Sequence, residues 1–446
     1  MGDTEPHKPG GESLDNGKRD RQYGMFQDPL VMERTQELKD GLNRELRARS
    51  EDGRLAAIYA FVGQHRPGKP TGIRPPFRGS YNVVFVVDFT DGSALLRVGV
   101  PGNVISPDEK IRAEVATMRY VEKMTSIPVP HIYHWGTAAE NPLGLGPFII
   151  MEYIPHHQSL SDVLKDPTVE DTSKAYLDPD LPRDKLARVY RQAADVLLQL
   201  SRLEMPRIGA LRQDTPDSGQ KTEKFRLWMD DLRPQNILVD ANLNIVGVID
   251  WEWAYFAPES YVQDPPWWLL IERPEYWCGT VLEFRDEFLG VLDVFLDALR
   301  TSEEGGNGRK PALERASIAN RDSEPDNEWS IDRHVEALNL NADTTVRLSD
   351  CIRQSWDSGL FWANYAARKC YGFEPVFWEF LDERFFGENV QGGYEGRMHL
   401  LSEKAKRRME VFVERKVEEM NDEKIVDWDA GEARSYLTEI FADLDE

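Results

Sequence analysis

The sequence predicts an α+β fold of two lobes, in which a small antiparallel sheet with one helix precedes a large, mainly helical part. Two β-branched, apolar runs, 81–88 and 94–100, flank an Asp-Gly turn, and this pattern is typical of a β-hairpin. Apolar residues then recur at helical spacing in 108–124 and again in 183–203. Further stretches rich in Trp and Phe have the same helical character, so helices are expected to fill most of the second lobe.

Changes in composition and in hydrophobic period divide the chain into five segments. A Pro/Gly-rich stretch, 67–76, is interpreted as a linker before the sheet, and the polar stretch 302–328 as a flexible insertion. The five expected segments are a disordered tail (1–24), an N-terminal helical extension (25–71), the lobe with the sheet (72–152), the helical lobe with its insertion (153–400) and a charged C-terminal helical segment (401–446).

Composition excludes several classes of function. The 54 Lys and Arg against 78 Asp and Glu give a net charge of −24, whereas a nucleic-acid-binding surface needs clustered cations. The same acidity disfavours docking on anionic membranes, and no apolar stretch is long enough to span a bilayer. With 3 Cys and no secretory signal, we expect a cytoplasmic protein that contacts neither nucleic acid nor membrane. The oligomeric state is not predicted.

The segment 227–252, LWMDDLRPQNILVDANLNIVGVIDWE, contains the most informative pattern of the chain. Asp231 and Asn236 stand five residues apart, and a short apolar strand, a polar turn and a second strand ending in Asp250 follow. This order places the three side chains at one end of a hairpin, facing a common cleft. Phosphoryl transfer needs such a set, because Mg²⁺ prefers oxygen ligands and a carboxylate must orient the acceptor hydroxyl.

This segment resembles the catalytic loop of the aminoglycoside phosphotransferase / choline kinase family of small-molecule kinases, usually H-G-D-L-x-P-x-N-I-L-V-D followed by I-D-W. The family implies a bilobal protein-kinase-like fold, with Asp231 as the catalytic residue and with Asn236 and Asp250 as Mg²⁺ ligands. Two positions depart from the pattern, since Met229 stands where the family has His and Asp230 where it has Gly. We expect Asp230 to be solvated or to act as a cap and Asp231 to be functional, because the spacing to Asn236 selects Asp231.

The same resemblance implies an ATP site in the first lobe. A loop would cover the phosphates, an Arg would replace the usual phosphate-binding Lys and pair with a helical Glu, and backbone groups would meet the adenine. The residues at these positions are Gly79 and Ser80 with Asn82 for the loop, Arg97 and Glu114 for the pair, and Glu152 and Ile154 for the adenine.

Three residues or segments near the loop have open interpretations. The Trp-rich run 251–270 is interpreted as core packing beneath the loop, although a stacking surface for substrate is the alternative. Asp264 within it is expected to hold the backbone of the catalytic loop. Arg233 either binds phosphate or pairs with a nearby carboxylate.

We therefore expect a phosphotransferase that depends on ATP and Mg²⁺ and transfers the γ-phosphoryl group to a hydroxyl of a small molecule. The alternative is a degenerate, kinase-like protein that binds a nucleotide or a partner without turnover, and Met229 and Arg97 motivate it. A protein kinase ranks third, because Ala257-Pro258-Glu259 follows Asp250 too closely to leave room for a peptide-binding activation loop.

Overall fold

The computed structural model describes residues 36–37, 40–41, 54–79, 81–101, 104, 106–169, 174–205, 209, 225–305 and 346–421. Contacts divide the chain into two compact units, residues 39–393 and residues 1–38 together with 394–446. All the predicted site residues belong to the first unit. The predicted tail and nearly all of the predicted insertion lie outside the described residues, although helix α6 (Val281–Glu304) includes the first residues assigned to that insertion.

In the described part of the chain, the first lobe is built on a six-stranded antiparallel sheet with the order β1-β3-β4-β6-β5, and β2 pairs with β3. Its central hairpin has the predicted Asp-Gly turn, with Phe89 opposite Gly92. The strands are β1 (Pro70–Ile73), β2 (Phe77–Arg78), β3 (Asn82–Phe89), β4 (Gly92–Gly99), β5 (Ile132–Gly136) and β6 (Phe148–Glu152).

One face of this sheet is covered by helix α1 (Arg54–His65). Ile58, Phe61 and Val62 of the helix are buried in one apolar cluster with alternate residues of β3 such as Phe85. The packing therefore groups α1 with the sheet, although the sequence assigned residues 25–71 to a separate extension. The stretch 67–76, which the sequence analysis interpreted as a linker, also contains strand β1. Its Pro70 is tolerated because β1 is an edge strand, where the missing N–H breaks no hydrogen bond of the sheet.

Helix α2 (Pro107–Met124) covers the other side of the first lobe. Proline stands in its first turn, together with Asp108 and Glu109. Both features are typical of helix starts, since proline needs no donor there and acids complement the helix dipole. The face of α2 that is buried against the rest of the protein is mostly apolar, but it includes the ionisable side chain of Glu114.

The second lobe begins with two small antiparallel sheets that carry the catalytic loop. One has the order β11-β10-β7 and contains the predicted hairpin, and the other has the order β12-β9-β8, which the sequence analysis missed. The strands are β7 (Gln158–Ser159), β8 (Glu204–Met205), β9 (Phe225–Met229), β10 (Ile237–Val239), β11 (Ile245–Val248) and β12 (Ala254–Pro258).

Helices form the rest of the second lobe, as predicted. They pack in one core in which Phe284, Phe288 and Phe361 are fully buried. Besides α6 they are α3 (Leu160–Leu164), α4 (Arg183–Leu200), α5 (Glu259–Val262), α7 (Leu348–Ser358), α8 (Leu360–Arg368), α9 (Cys370–Val376) and α10 (Asp382–Phe386). The predicted α+β class, with a sheet-containing first lobe and a larger helical second lobe, is therefore confirmed.

The Trp-rich run belongs mainly to the core of this lobe. Trp251, Trp267 and Trp268 are at most 5 % exposed, whereas Trp253 keeps 43 % of its surface exposed. In the other unit, helix α11 spans Glu403–Asn421 within the segment predicted to be helical and charged. Among the described residues, no helix is long and apolar enough to cross a membrane.

Candidate active site

The loop between β9 and β10 brings Asp231 and Asn236 together. The side-chain amide of Asn236 donates to the Asp231 carboxylate at 3.0 Å and to the Asp231 carbonyl at 2.8 Å. Pro234 opens the short 3₁₀ turn that contains Asn236, and its fixed φ suits that position. Asn236 is buried, whereas 18 % of the Asp231 side chain is exposed. The carboxylate is therefore oriented by the loop and still accessible from the cleft.

Asp250 reaches the same cleft from the end of β11. The N–H of Ile249 donates to the carbonyl of Asn236 at 2.9 Å, which ties this strand end to the catalytic loop. Asp250 adopts the left-handed region with φ 66° and ψ 57°, where Asp is tolerated at some cost. This conformation ends the strand sharply. The side-chain bonds of Asn236 to Asp231 and the backbone bond of Ile249 to Asn236 thus bring the three predicted oxygen-bearing residues together.

Arg97 and Glu114 form the predicted ion pair beside Asp250. The Arg97 guanidinium donates to Glu114, and both side chains are at most 7 % exposed. The second terminal nitrogen of Arg97 lies 3.6 Å from Asp250 Oδ1. Burial opposes the charge of Arg97, but Glu114 and Asp250 outweigh this effect and hold its pKa above the usual value. The pair joins β4, α2 and the end of β11.

The site contains more buried negative charge than its cations neutralise. Burial, followed by the charge of Glu252 and opposed by Arg97, raises the pKa of Asp250 to about 7. Asp250 Oδ1 and Glu114 Oε1 are buried without a hydrogen-bond donor among the described residues. Unpaired carboxylate oxygens at one place are a suitable environment for a hard cation.

The predicted adenine-binding residues form the connection between the lobes. Glu152 ends β6 and its N–H donates to the carbonyl of His131 at 2.8 Å, while the ring of His156 bonds the carbonyl of Ile154 at 2.8 Å. The Ile154 side chain packs on Gly247 of β11, where an added Cβ would lie 2.6 Å from Ile154 Cδ1. A glycine at this position therefore makes room beside the hinge.

Part of the predicted phosphate-covering loop is described. The N–H of Gly79 donates to the carbonyl of Asn82 at 2.8 Å, which closes the turn before β3. Ser80 lies outside the described residues. The Asn82 side chain does not point to the predicted Mg²⁺ ligands but donates to Glu252 at 3.2 Å.

Two charged residues of the site escaped the sequence analysis. Glu252, two positions after Asp250, has a side chain that is 1 % exposed and forms an ion pair with Lys110 of α2. The position of Glu252 directly after the Ile249-Asp250-Trp251 motif was the signal available in the sequence. Lys110 carried no such signal, because charged residues at the start of a helix are usually solvated.

The residue that departs from the family's glycine has a structural partner. Asp230 bonds Lys369 at 2.7 Å and accepts the indole N–H of Trp228 at 3.0 Å. Burial opposes its ionisation, but Lys369 and this hydrogen bond hold its pKa below the usual value. Arg233, by contrast, lies beside the carboxylate of Asp231, with Nε 3.2 Å from Oδ1.

Asp264 does not hold the backbone of the catalytic loop as expected. Its buried carboxylate instead bonds three side chains of α7 and α8, namely Ser355 at 2.6 Å, Asn364 at 3.1 Å and Arg368 at 3.0 Å. Met229, in the usual position of the family's histidine, is 3 % exposed and pairs with Ala254 in the adjacent strand. This departure thus fills the core below the loop and leaves Asp231 in place.

Comparison with known proteins agrees with this geometry. Residues 72–261 match the phosphotransferase enzyme family. The match confirms the resemblance that the sequence of segment 227–252 predicted, and its range includes all the site residues predicted from the sequence.

Curated relatives and solved structures add more distant similarities. Altered inheritance of mitochondria protein 9, mitochondrial, is 30 % identical over 137 residues in Zygosaccharomyces rouxii and 29 % identical over 147 residues in Saccharomyces cerevisiae. These matches cover 30 % and 32 % of this chain but only 20 % and 22 % of the relatives. The aminoglycoside phosphotransferase APH(4)-Ia, solved with AMP-PNP and hygromycin B, is 14 % identical with a TM-score of 0.34, over 59 % of this chain and 99 % of that one.

The relatives contradict one expectation. Composition and the lack of a secretory signal led to the prediction of a cytoplasmic protein, but the curated relatives are named as mitochondrial proteins. That prediction is wrong for a physical reason: a net charge and a cysteine count describe the solvent and redox conditions that a protein tolerates, and several compartments share those conditions.

Proposed function

We propose that the phosphotransferase domain uses ATP and Mg²⁺ to phosphorylate a hydroxyl group of a small molecule. The observation that carries the proposal is a set of three contacts. Asn236 bonds Asp231, the N–H of Ile249 donates to the carbonyl of Asn236, and Asp250 follows Ile249, so a partly exposed carboxylate, an amide and a second carboxylate lie at one cleft. Phosphoryl transfer depends on this combination, since positioning and electrostatics do most of the catalysis.

The residues fit a nucleotide-bound divalent cation. Asn236 and Asp250 would hold the ion, and Asp250 Oδ1 is a buried ligand atom that accepts no hydrogen bond from the described residues, although Arg97 lies 3.6 Å away. Among the described residues, no group of three or more His, Cys, Asp or Glu side chains is placed to hold a metal. This suits Mg²⁺, which usually takes one or two protein oxygens and completes its shell with phosphates and water. Bound Mg²⁺ neutralises charge on the phosphates.

The protein side chains then divide the work. Asp231 orients the acceptor hydroxyl and accepts its proton as the oxygen attacks the γ-phosphorus, while the bond from that phosphorus to the bridging oxygen breaks and ADP leaves. Arg97 offsets negative charge near the phosphates, and the Glu114 ion pair fixes its orientation. Ile154 and Gly247 bound the space at the hinge where the adenine is proposed to lie.

The test combines binding with an untargeted acceptor screen. Full-length protein is incubated with Mg·ATP and pooled metabolites, and mass spectrometry follows the gain of one phosphoryl group. We expect Asp231→Asn to reduce turnover at least about 100-fold, because a positioned proton acceptor contributes about 10²–10⁴-fold. The neighbouring Asp230→Asn is the matched control and should retain activity. Transfer that is unchanged in Asp231→Asn contradicts the assignment.

The degenerate alternative has a distinct outcome in the same experiment. Met229 motivates it, because the family's histidine is replaced by a buried apolar side chain. A thermal shift with Mg·ATP but no phosphorylated product from any pool favours a nucleotide-binding protein without turnover. No thermal shift and no product oppose both functions.

The names of the relatives also suggest a location. We propose that the protein acts in mitochondria, and cell fractionation with immunodetection of the endogenous chain tests this. Signal confined to the fractions outside mitochondria contradicts it.

A further inference from the structure

Five side chains join the phosphate-covering loop, helix α2 and the segment after Asp250. We call this set the interlobe latch. Tyr81 directly precedes β3 and Asn82 is its first residue, Lys110 comes from the first turns of α2, and Glu252 and Trp253 come from the second lobe. None of the five touches Asp231 or Asn236 in the described contacts, so the proposed chemistry does not account for them.

The carboxylate of Glu252 is the centre of the latch. Its Oε2 atom accepts from Lys110 and, at 3.2 Å, from the amide of Asn82. The Glu252 and Lys110 side chains are only 1 % and 11 % exposed. A carboxylate this far from water is stable only while its partners stay in place. Glu252 therefore has its partners only when the loop and α2 both lie against the second lobe.

An aromatic pair covers this ion pair from outside. The rings of Tyr81 and Trp253 meet edge to face, with centroids 6.2 Å apart. The ammonium of Lys110 lies 5.8 Å from the centroid of each ring, within the range of a cation–π contact. The rings are 38 % and 43 % exposed, so they separate the buried pair from solvent.

We propose that Glu252 is a positioning residue, which holds the phosphate-covering loop and α2 closed over the nucleotide site. The inference rests on the proposed function only for its kinetic consequence. Glu252 lies two residues after Asp250, which precedes the same short 3₁₀ turn, so one stretch of backbone positions both the proposed metal ligand and the anchor of the loop. Closure of the lobes and orientation of Asp250 are thereby coupled.

The first test measures the latch without any nucleotide. Amide hydrogen exchange is followed in the full-length wild type and in Glu252→Gln, which removes the charge and keeps the shape. We expect exchange in peptides covering 79–83 and 108–112 to become about tenfold faster or more, because local opening no longer has to break the ion pair. Glu109→Gln, a change at the exposed neighbour of Lys110, is the matched control. Unchanged exchange in Glu252→Gln overturns the proposal.

The second test separates positioning from simple stability. With an acceptor in hand, Glu252→Gln and Lys110→Met should each raise KM for ATP about tenfold and change kcat less than about threefold, because the loop must be ordered by the nucleotide itself. The double variant should have a KM for ATP no higher than that of the more impaired single variant, since both substitutions remove the same ion pair. Lys110→Arg should restore most of the ATP affinity.

The outcomes distinguish the latch from the proposed function. Faster exchange at 79–83 in Glu252→Gln, with no ATP binding by the wild type, supports the latch and opposes the kinase function. A rise in KM accompanied by an equally large fall in kcat in all variants, without rescue by Lys110→Arg, indicates general destabilisation and overturns the positioning role. Should Glu252→Gln not fold, Asn82→Ala, which leaves the ion pair intact, must still accelerate exchange at 79–83.

Discussion

Replacing Asp250 by asparagine removes a buried negative charge and keeps the size of the side chain. The pKa of Asp250 is raised from 3.8 to about 7, mainly by burial and then by Glu252. Between these pH values the folded state holds a proton that the unfolded chain has lost. By linkage, the contribution of Asp250 to stability is fully present below pH 4 and is lost as the pH rises through 7.

The size of the effect follows from the shift. A shift of about three pKa units, at about 1.36 kcal/mol each, corresponds to about 4 kcal/mol above pH 7 as an upper limit. Because 30 % of the side chain is exposed, water reduces this cost, and we expect Asp250→Asn to stabilise the ligand-free protein by about 1–3 kcal/mol at pH 8. At pH 5 the gain should be about one third as large.

The assay is urea unfolding of the ligand-free protein at pH 5 and pH 8. Asp240→Asn is the control of opposite sign, because the N–H groups of Asn242 and Asn244 donate to that carboxylate and lower its pKa. It should destabilise the protein at both pH values. With Mg·ATP at about 100 times Kd, the wild type should gain about 2.7 kcal/mol, and Asp250→Asn should lose most of this gain. A pH-independent gain, or destabilisation by Asp250→Asn at pH 8, refutes the reasoning.

Three further variants test the surroundings of the site. Lys369→Met leaves the partly buried Asp230 without its ion partner and should lower the free energy of unfolding in urea by about 1–3 kcal/mol, because Trp228 still donates to the carboxylate. The kcat should change less than about threefold, and a large loss of kcat would instead make Asp230 functional. Arg368→Met should lower the free energy of unfolding by about 3–5 kcal/mol in the same assay, because the buried Asp264 loses its cation. Adding Asp264→Asn should recover part of this loss. Equal stability of the wild type and the single variant contradicts a buried ion pair. Gly247→Ala should raise KM for ATP about threefold to tenfold by pushing Ile154 toward the adenine space, whereas Gly290→Ala, with open space around it, should leave KM unchanged.

The catalytic loop was predictable because its information is local. Asp231, Asn236 and Asp250 lie on one short hairpin, and strand alternation with turn chemistry is enough to place them at one end of it. The sheet of the first lobe was predictable for the same reason, since its central strands are adjacent in sequence and joined by an Asp-Gly turn.

The missed features depend on contacts between distant parts of the chain. Strand β9 pairs on one side with β12, which follows it in the chain only after the β10-β11 hairpin, and both β9 and β12 are only five residues long. Asp264 finds its partners 91 to 104 residues further along the chain. Neither hydrophobic period nor motif spacing identifies which distant segment satisfies a buried acid, so its role was assigned to the nearest loop.

Without a ligand, the site lowers the stability of the folded protein, and the features responsible are those that a bound ligand would relieve. Asp250 combines a left-handed backbone, a raised pKa and an unpaired carboxylate oxygen, and its neighbour Glu252 adds a second buried charge. An asparagine or glycine at position 250 would relieve most of this cost without disturbing the strand contacts that end at Val248. Lys110 and Asn82 already satisfy Glu252, whereas Asp250 Oδ1 accepts no hydrogen bond from the described residues. The proposed nucleotide-bound divalent ion at Asp250 therefore explains the remaining negative charge better than folding does.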